Sequence, residues 1–162
     1  MLKHRRELVL GLAIALSFGG LVAVAADGDT VRVDLKSFKF KVTDEMASLF
    51  GYDEGLSRLF YYTGGTGEAA VKIPADGEYE LVIEASCDPA QNERAKFKAA
   101  LDGEAIGKET LLTADEAKEY KLPVKAKAGE HKLSIEFTND AYKENEYDRN
   151  LFLHAVTLKK VN

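Results

Sequence analysis

Segments with the alternation typical of β-strands recur along the chain from residue 68 onward, and the first of them end in residues that favour a turn. GEAAVKIP leads to the Asp-Gly pair at 76–77, EYELVIEAS to the Asp-Pro pair at 88–89, and AKFKAAL to the Asp-Gly pair at 102–103. Further segments of strand character cover residues 109–112, 120–124, 131–137 and 151–159. Because no long helical stripe separates them, the spacing predicts an all-β, single-domain β-sandwich, for which a jelly roll is the expected topology.

The part of the chain before residue 60 has a less regular pattern. Residues 31–35 alternate apolar and charged side chains, as a half-buried strand does. Met46, Leu49 and Phe50 have helical spacing, which suggests a short helix or a turn. We expect residues 27–59 to form an N-terminal strand and a connecting segment, either an added strand or an arm for a protein partner. Residues 60–162 are then expected to form the sandwich.

The first 26 residues have the pattern of a secretory signal peptide. Lys3, Arg5 and Arg6 precede residues 8–26, which carry no charge and end in Ala25 and Ala26, where cleavage is expected after either alanine. The alternative is an uncleaved anchor, because this uncharged stretch approaches the length that spans a bilayer. Cleavage predicts a secreted or periplasmic protein without a membrane partner.

The charge of the chain argues against nucleic acid as a partner. The full sequence has 22 basic and 27 acidic residues, and removal of residues 1–26 leaves 19 and 26, a net charge of −7. Phosphate binding needs a basic surface instead. Cys87 is the only cysteine, so no intramolecular disulfide can form, and we expect it to be a buried apolar side chain.

A polar loop rich in carboxylates and tyrosines lies between the last two predicted strands. Asp140 and Asp148 are its central acids, and they are accompanied by Asn139, Asn145 and Asn150. Oxygen-rich clusters of this kind are what a hard cation such as calcium prefers. The alternative is that both acids are exposed loop residues that only keep a turn soluble.

Four segments of the chain resemble calcium-dependent, xylan-binding carbohydrate-binding modules: FTNDAY, DRNLFL, DGEYELVIEAS and AGEHKLSIEF. The resemblance implies a small β-sandwich with an exposed calcium that contacts neighbouring sugar hydroxyls. Asp140 and Asp148 are then the expected metal ligands. Calcium takes six to eight oxygens, so the Tyr147 carbonyl, the side chains of Asn139 or Asn150, and water are expected to complete its shell.

The aromatic residues of the same loop are the expected sugar contacts, because tyrosine rings pack on the apolar side of a sugar ring. Tyr142 and Tyr147 are the leading candidates, with Asp140 and Asp148 reaching the sugar through calcium. Tyr61 and Tyr62 are weaker candidates, for which core or edge packing is the favoured interpretation. Arg149 is expected to anchor the loop by pairing with a carboxylate rather than to touch the ligand. The chain has no tryptophan, which departs from the family pattern.

Nothing in the sequence predicts catalysis. His131 and His154 have no zinc-ligand spacing, no GxSxG motif is present, and GGTG at residues 64–67 is interpreted as a loop rather than a phosphate cradle. The sequence therefore predicts a secreted, non-catalytic, calcium-dependent module that binds xylan or a related polysaccharide or oligosaccharide. Two alternatives remain: a protein-interaction or scaffold sandwich with purely structural calcium, and a weak glycoside-processing enzyme, for which the many carboxylates leave room.

Overall fold

A computed structural model describes residues 26–27 and 29–161 of the chain. The predicted signal peptide lies outside the described residues except for Ala26. Within these ranges, no helix combines the length and apolar character needed to cross a membrane. Two short 3-10 helices cover Leu35–Ser37 and Asp44–Leu49. The strands in chain order are β1 (Ala26–Asp27), β2 (Thr30–Arg32), β3 (Lys39–Phe40), β4 (Phe50–Asp53), β5 (Arg58–Tyr61), β6 (Gly65–Ile73), β7 (Gly77–Asp88), β8 (Lys96–Leu101), β9 (Glu104–Ala105), β10 (Thr110–Leu111), β11 (Lys118–Ala126), β12 (Gly129–Phe137), β13 (Tyr142–Lys143), β14 (Tyr147–Asp148) and β15 (Asn150–Lys160).

The described strands form two large antiparallel sheets and one small hairpin. In the seven-stranded sheet, β15 pairs with β7 along one edge and with β2 and β5 at the two ends of its other edge. β1 and β4 extend this sheet on one side, and β11 extends it beyond β7. The six-stranded sheet has the order β10-β8-β12-β6-β3, with β9 beside β8. Strands β5 to β8 alternate between the two sheets, as in a jelly roll. The predicted all-β sandwich is confirmed.

The core lies between the two sheets and is built from the apolar half of each alternating strand. β12 contributes Leu133, Ile135 and Phe137, which are at most 1% exposed. β15 keeps an apolar face inward along its whole length because a register shift between Leu153 and Ala155 moves the alternation by one residue. Burial of each such side chain contributes about 1.5–3 kcal/mol, which makes this interior the main source of stability.

The segment before residue 60 is part of the same sandwich. Val31, Phe38 and Phe50 belong to the core, and β2 and β4 are paired with β15 and β5. The alternation predicted for residues 31–35 ends early, because Asp34 accepts a hydrogen bond from the Lys36 backbone N–H and begins a 3-10 helix. The described part of this segment thus consists of strands and short helices that pack on the core.

The interpretation of residues 64–67 as a loop is wrong, because β6 begins at Gly65. A Cβ built at Gly65 would lie 2.7 Å from the Phe50 ring, and one built at Gly67 would lie 2.7 Å from the Tyr61 hydroxyl. Only glycine lets the strand pass so close to these aromatic side chains. The glycine run reflects packing inside a strand rather than a flexible connection.

Candidate functional site

A short hairpin presents one side of the candidate site. β13 and β14 pair so that Tyr142 lies opposite Asp148. The turn between them places Asn145 in the left-handed region at φ 60°, a conformation that asparagine tolerates better than most residues. Glu146 donates its backbone N–H to the Lys143 carbonyl at 3.0 Å and closes the turn. Asn145 therefore shapes the hairpin and does not line the pocket described below.

Asp140 lies just after β12 and contacts the connection between β5 and β6. The Thr63 hydroxyl donates to Asp140 Oδ2 at 2.8 Å. Asp140 Oδ1 is buried and has no hydrogen-bond partner among the described residues. A buried carboxylate oxygen without a partner is unfavourable, so this atom is available to a ligand, a cation or water.

A second polar cluster forms where β7 and β15 meet. Asn150 pairs with Asp88 across the two strands, and its Nδ2 donates to Asp88 Oδ2 at 3.1 Å and to Asp148 Oδ2 at 3.3 Å. Asn150 Oδ1 is buried without a partner in the described part of the chain. Asp88 was not among the residues predicted for the site, because its sixty-residue separation from Asp148 is bridged only by strand pairing. The available signal was the acidic residue at the end of strand β7.

A pocket of about 560 Å³ brings the two predicted acids together. Its lining consists of Leu49, Tyr62, Thr63, Asp140, Tyr142 and Asp148. Tyr142 is 65% exposed and Tyr62 is 38% exposed, so both rings are accessible to a ligand. Tyr62, a weaker candidate in the sequence, is thus part of the pocket, whereas Tyr61 is fully buried and donates to the Ile135 carbonyl at 3.2 Å. Tyr147 is half-buried on β14 and does not line this pocket.

Arg149 anchors the loop as predicted, but mainly through backbone carbonyls rather than through the predicted carboxylate. Its side chain is buried and donates from Nε to the Glu93 carbonyl at 3.0 Å, from Nη2 to the Ala90 carbonyl at 2.5 Å, and from Nη1 to the Asn139 carbonyl. The Glu93 carboxylate lies 3.6 Å from Nη2. The hydrogen bond from Lys96, with a smaller contribution from the charge of Arg149, holds the pKa of Glu93 below its ordinary value.

Asn139 ties the same loop to β8. Its Oδ1 accepts from the Lys96 backbone N–H at 2.6 Å, and its Nδ2 donates to the Arg94 carbonyl at 2.9 Å. Both ends of the side-chain amide are therefore engaged by backbone groups. In this structure Asn139 positions Asp140, its neighbour in the chain, and its role as a metal ligand remains a prediction.

The other chemically versatile side chains lie apart from this pocket. His131 is on the six-stranded sheet, where it contacts Asp102, and His154 is on the seven-stranded sheet, where its Nε2 lies 2.7 Å from Ser86 Oγ. Cys87 is 4% exposed, as expected, and burial raises the pKa of its thiol. Within residues 26–27 and 29–161, no group of three acidic, histidine or cysteine side chains could by itself hold a metal ion.

Solved structures place this architecture in a recognisable class. A family 36 carbohydrate-binding module of a multidomain xylanase, from the hindgut metagenome of Trinervitermes trinervoides, is 12% identical over 83% of this chain and 99% of that chain, with a TM-score of 0.60. The C-terminal family 6 module of a laminarinase from Zobellia galactanivorans is 12% identical over 82% and 100%, with a TM-score of 0.53. A family 35 module from Paenibacillus barcinonensis is 14% identical over 83% and 100%, also at 0.53. The fold is that of a carbohydrate-binding module.

The family follows from the sequence itself. A family model described as Ca-dependent carbohydrate-binding module, xylan-binding (CBM60) matches residues 80–162. The chain belongs to this family, so it is a non-catalytic sugar-binding module. No curated protein matches the chain.

Proposed function

We propose that this protein binds xylan or a related polysaccharide in a calcium-dependent manner, through the pocket that Asp140 and Asp148 share. The observation that carries the proposal is the buried Asp140 Oδ1, which has no hydrogen-bond partner in the described part of the chain and lies on the same pocket as a second carboxylate. An electropositive partner for this oxygen would offset the free-energy cost of its burial. The family description supports the choice of calcium and of xylan.

The residues of the site fit a calcium ion. Asp140 and Asp148 supply carboxylate oxygens, and Asn150 has a buried side-chain oxygen without a hydrogen-bond donor among the described residues. Carboxylate, amide and carbonyl oxygens are the ligands that calcium takes in proteins, and the Tyr147 carbonyl, Asn139 and water are further candidates. Two carboxylates leave part of a shell of six to eight oxygens to other groups. Bound there, calcium would accept two neighbouring sugar hydroxyls as ligands.

The aromatic side chains of the pocket would hold the sugar ring. Tyr142 and Tyr62 are the exposed rings on its wall, and Leu49 adds an apolar contact. A pyranose ring has an apolar side that packs on aromatic faces, while its hydroxyls bind polar groups. The proposal thus adds Tyr62 to Tyr142 as a sugar contact. Tyr147 would act through its backbone carbonyl or through a face outside this pocket.

The proposed setting is outside the cytoplasm. Residues 1–26 have the charge and hydropathy of a signal peptide, and a polysaccharide ligand fits a secreted or periplasmic protein. Mass spectrometry of the mature protein tests this proposal, because cleavage after Ala25 or Ala26 removes a defined mass. An intact N-terminus in the membrane fraction would favour the uncleaved anchor.

Calorimetric titration with xylo-oligosaccharides and a panel of other glycans tests the binding function. It should be carried out with calcium and again after chelation, and chelation is expected to abolish the glycan signal. Calcium binding without any glycan signal would instead favour the interaction or scaffold sandwich with structural calcium. Release of reducing ends from soluble xylan would contradict the non-catalytic function.

Substitution of the two carboxylates tests the location of the site. Asp140→Asn with Asp148→Asn keeps the side-chain shapes but removes both charges, and we expect loss of calcium binding and of glycan binding together. A matched control is Asp29→Asn with Asp44→Asn, which changes two exposed acids that do not line the pocket. Retention of both activities by the Asp140 and Asp148 variant would place the site elsewhere.

A further inference from the structure

The outward face of the seven-stranded sheet begins at the candidate site and continues along the sheet. On β15, Leu151 and Leu153 point into the core, so Phe152 between them lies on the opposite side of the sheet, where Arg58 covers it and leaves it only 3% exposed. Phe152 lies opposite Phe60 on β5 and opposite Ser86 on β7. This row is two residues along β7 and β15 from the Asp88 and Asn150 pair at the edge of the site. The site and the outer face are therefore continuous.

Aromatic rings connect the pocket to this face. The Tyr62 ring, which lines the pocket, stacks on Phe60 with a centroid distance of 4.5 Å and meets Phe152 edge-on at 6.2 Å. The Arg58 guanidinium lies 3.6 Å from the centroid of the Phe152 ring. Arg58 Nε is buried and has no hydrogen-bond partner among the described residues, so it is an unsatisfied donor beside this aromatic cluster.

A second cavity of about 280 Å³ lies further along the same face. Its floor includes Val82 and Ala155, and the hydrogen-bonded pair of Ser86 and His154 lies between it and the aromatic rings. Its walls are polar and consist of Thr30, Arg32, Glu84, Glu119, Thr157 and Lys159. Hydroxyl-bearing and charged side chains over a small apolar floor suit a ligand with many hydroxyls.

The register shows that these features lie on one face. Arg32 on β2, Thr157 on β15 and Val82 on β7 are consecutive partners across the sheet, and Glu84 on β7 lies opposite Glu119 on β11. From Asp88 to Val82 the path along β7 is roughly 20 Å at the usual rise per strand residue. This is the length of several pyranose units. We call the partly exposed side chains of Arg58, Phe60 and His154, together with the second cavity, the outer-face tract; Phe152 and Ser86 are buried beneath it.

We propose that the outer-face tract binds the continuation of a neutral polysaccharide chain whose neighbouring sugar is held at the pocket of Asp140 and Asp148. The proposal rests on the proposed function and extends it to a longer ligand. The second cavity is lined by two basic side chains, Arg32 and Lys159, and by two acidic ones, Glu84 and Glu119. Such a surface favours hydrogen bonding to uncharged hydroxyls over binding of an anionic polymer.

Titration with xylobiose and with xylohexaose, in the presence of calcium, tests the proposal. The protein should bind xylohexaose more tightly than xylobiose. Arg32→Ala with Glu119→Ala should weaken xylohexaose binding by about tenfold, the effect of two lost hydrogen bonds, and leave xylobiose binding unchanged. Both residues are exposed, so the fold should be retained. Lys98→Ala with Glu109→Ala, an exposed pair on the other sheet, is the matched control and should leave both affinities unchanged.

The outcomes separate this proposal from the proposed function. Equal affinity of the unmodified protein for the two ligands would overturn the extended tract and leave the calcium pocket intact. The proposal would also be overturned if Arg32→Ala with Glu119→Ala left both affinities unchanged, as the control variant does. Loss of xylobiose binding in this variant would overturn it as well. Absence of binding to any glycan would contradict both proposals together.

Discussion

Arg149 is not expected to contact a ligand, but its substitution should damage the site strongly. Its guanidinium donates to the carbonyls of Ala90, Glu93 and Asn139, and substitution would remove all three charged donors. The Ala90 and Glu93 carbonyls would keep only the backbone N–H groups of Glu93 and Ala90 as donors. We expect Arg149→Ala to lower the free energy of unfolding by about 3 kcal/mol, because hydrogen bonds from charged groups are the stronger kind. Urea denaturation measures this change.

The matched control for Arg149 is Arg94, whose Nε contacts Asp115 at 2.6 Å while both side chains are almost half exposed. An ion pair in contact with water contributes little, so Arg94→Ala should cost less than about 1 kcal/mol. Equal losses from the two substitutions would show that burial of Arg149 does not determine its contribution.

His131 and Asp102 form a residue pair with a defined pH dependence. His131 Nδ1 lies 2.6 Å from Asp102 Oδ2, and Asp102 Oδ1 accepts from the Lys132 backbone N–H at 2.7 Å. The hydrogen bond that the His131 ring donates to Asp102 raises the pKa of His131 above its ordinary 6.5. The pKa of Asp102 is lowered mainly by the hydrogen bond from the Lys132 backbone N–H and next by the hydrogen bond from His131.

The sign of each shift fixes the pH window of stabilisation. The His131 contribution is complete below pH about 6.5, the unfolded value, and is lost as pH rises through the raised folded pKa. The Asp102 contribution is present above about 3.9 and is lost as pH falls through the lowered folded pKa. Both contributions are thus present between about pH 4 and pH 6.5.

His131→Gln should therefore reduce the free energy of unfolding more at pH 5.5 than at pH 9, measured by urea denaturation at each pH. Asp102→Asn should remove the same pH-dependent difference. It is a suitable companion because Asp102 has a φ of 52°, which asparagine tolerates. A constant difference between the unmodified protein and His131→Gln across this range would exclude the pair as its source.

Strand β6 depends on glycine at position 67, where it passes close to the side chains of Tyr61 and Phe40. A Cβ at Gly67 would lie 2.7 Å from the Tyr61 hydroxyl and 2.9 Å from the Phe40 ring. Gly67→Ala should destabilise the protein by about 1–3 kcal/mol, the usual cost of overpacking a core, measured as a lower midpoint in thermal or urea unfolding. Tyr61→Phe removes one of these contacts, so the double variant should lose less than the sum of the single losses.

The control for Gly67 is Gly55→Ala, at an exposed position where the nearest atom would be Asp53 Oδ1 at an ordinary 3.4 Å. Its cost should stay within about 0.5 kcal/mol, as for most surface substitutions. A similar loss at both glycines would show that close approach to the aromatic rings is not the cause.

Local signals predicted individual elements well. The Asp-Gly pair at 102–103 predicts a tight hairpin, and both residues have positive φ between paired strands β8 and β9. The site was only partly predictable, because Asp88 joins Asp148 through the pairing of β7 with β15, and Tyr62 reaches the pocket from the position just after β5. Pairing between distant strands depends on the whole core, so no local pattern of charge or alternation specifies it.

At the scale of the whole molecule, the boundary of the folded unit differs from the boundary of the resemblance. The family model matches residues 80–162, and the sequence predicts a sandwich over 60–162. The structure adds Val31, Leu35, Phe38 and Phe50 to the core from the preceding segment. Each contributes about 1.5–3 kcal/mol when buried, and together they approach the total stability of about 5–15 kcal/mol of a typical domain.

We therefore expect residues 60–162 alone to lack a cooperative unfolding transition, whereas residues 27–162 should unfold cooperatively. Loss of β2 and β4 also exposes backbone groups of β15 and β5 that these strands pair with, which favours aggregation. Urea titration followed by circular dichroism compares the two fragments. The same midpoint and slope for both fragments would show that residues 27–59 are dispensable, as an appended arm would be.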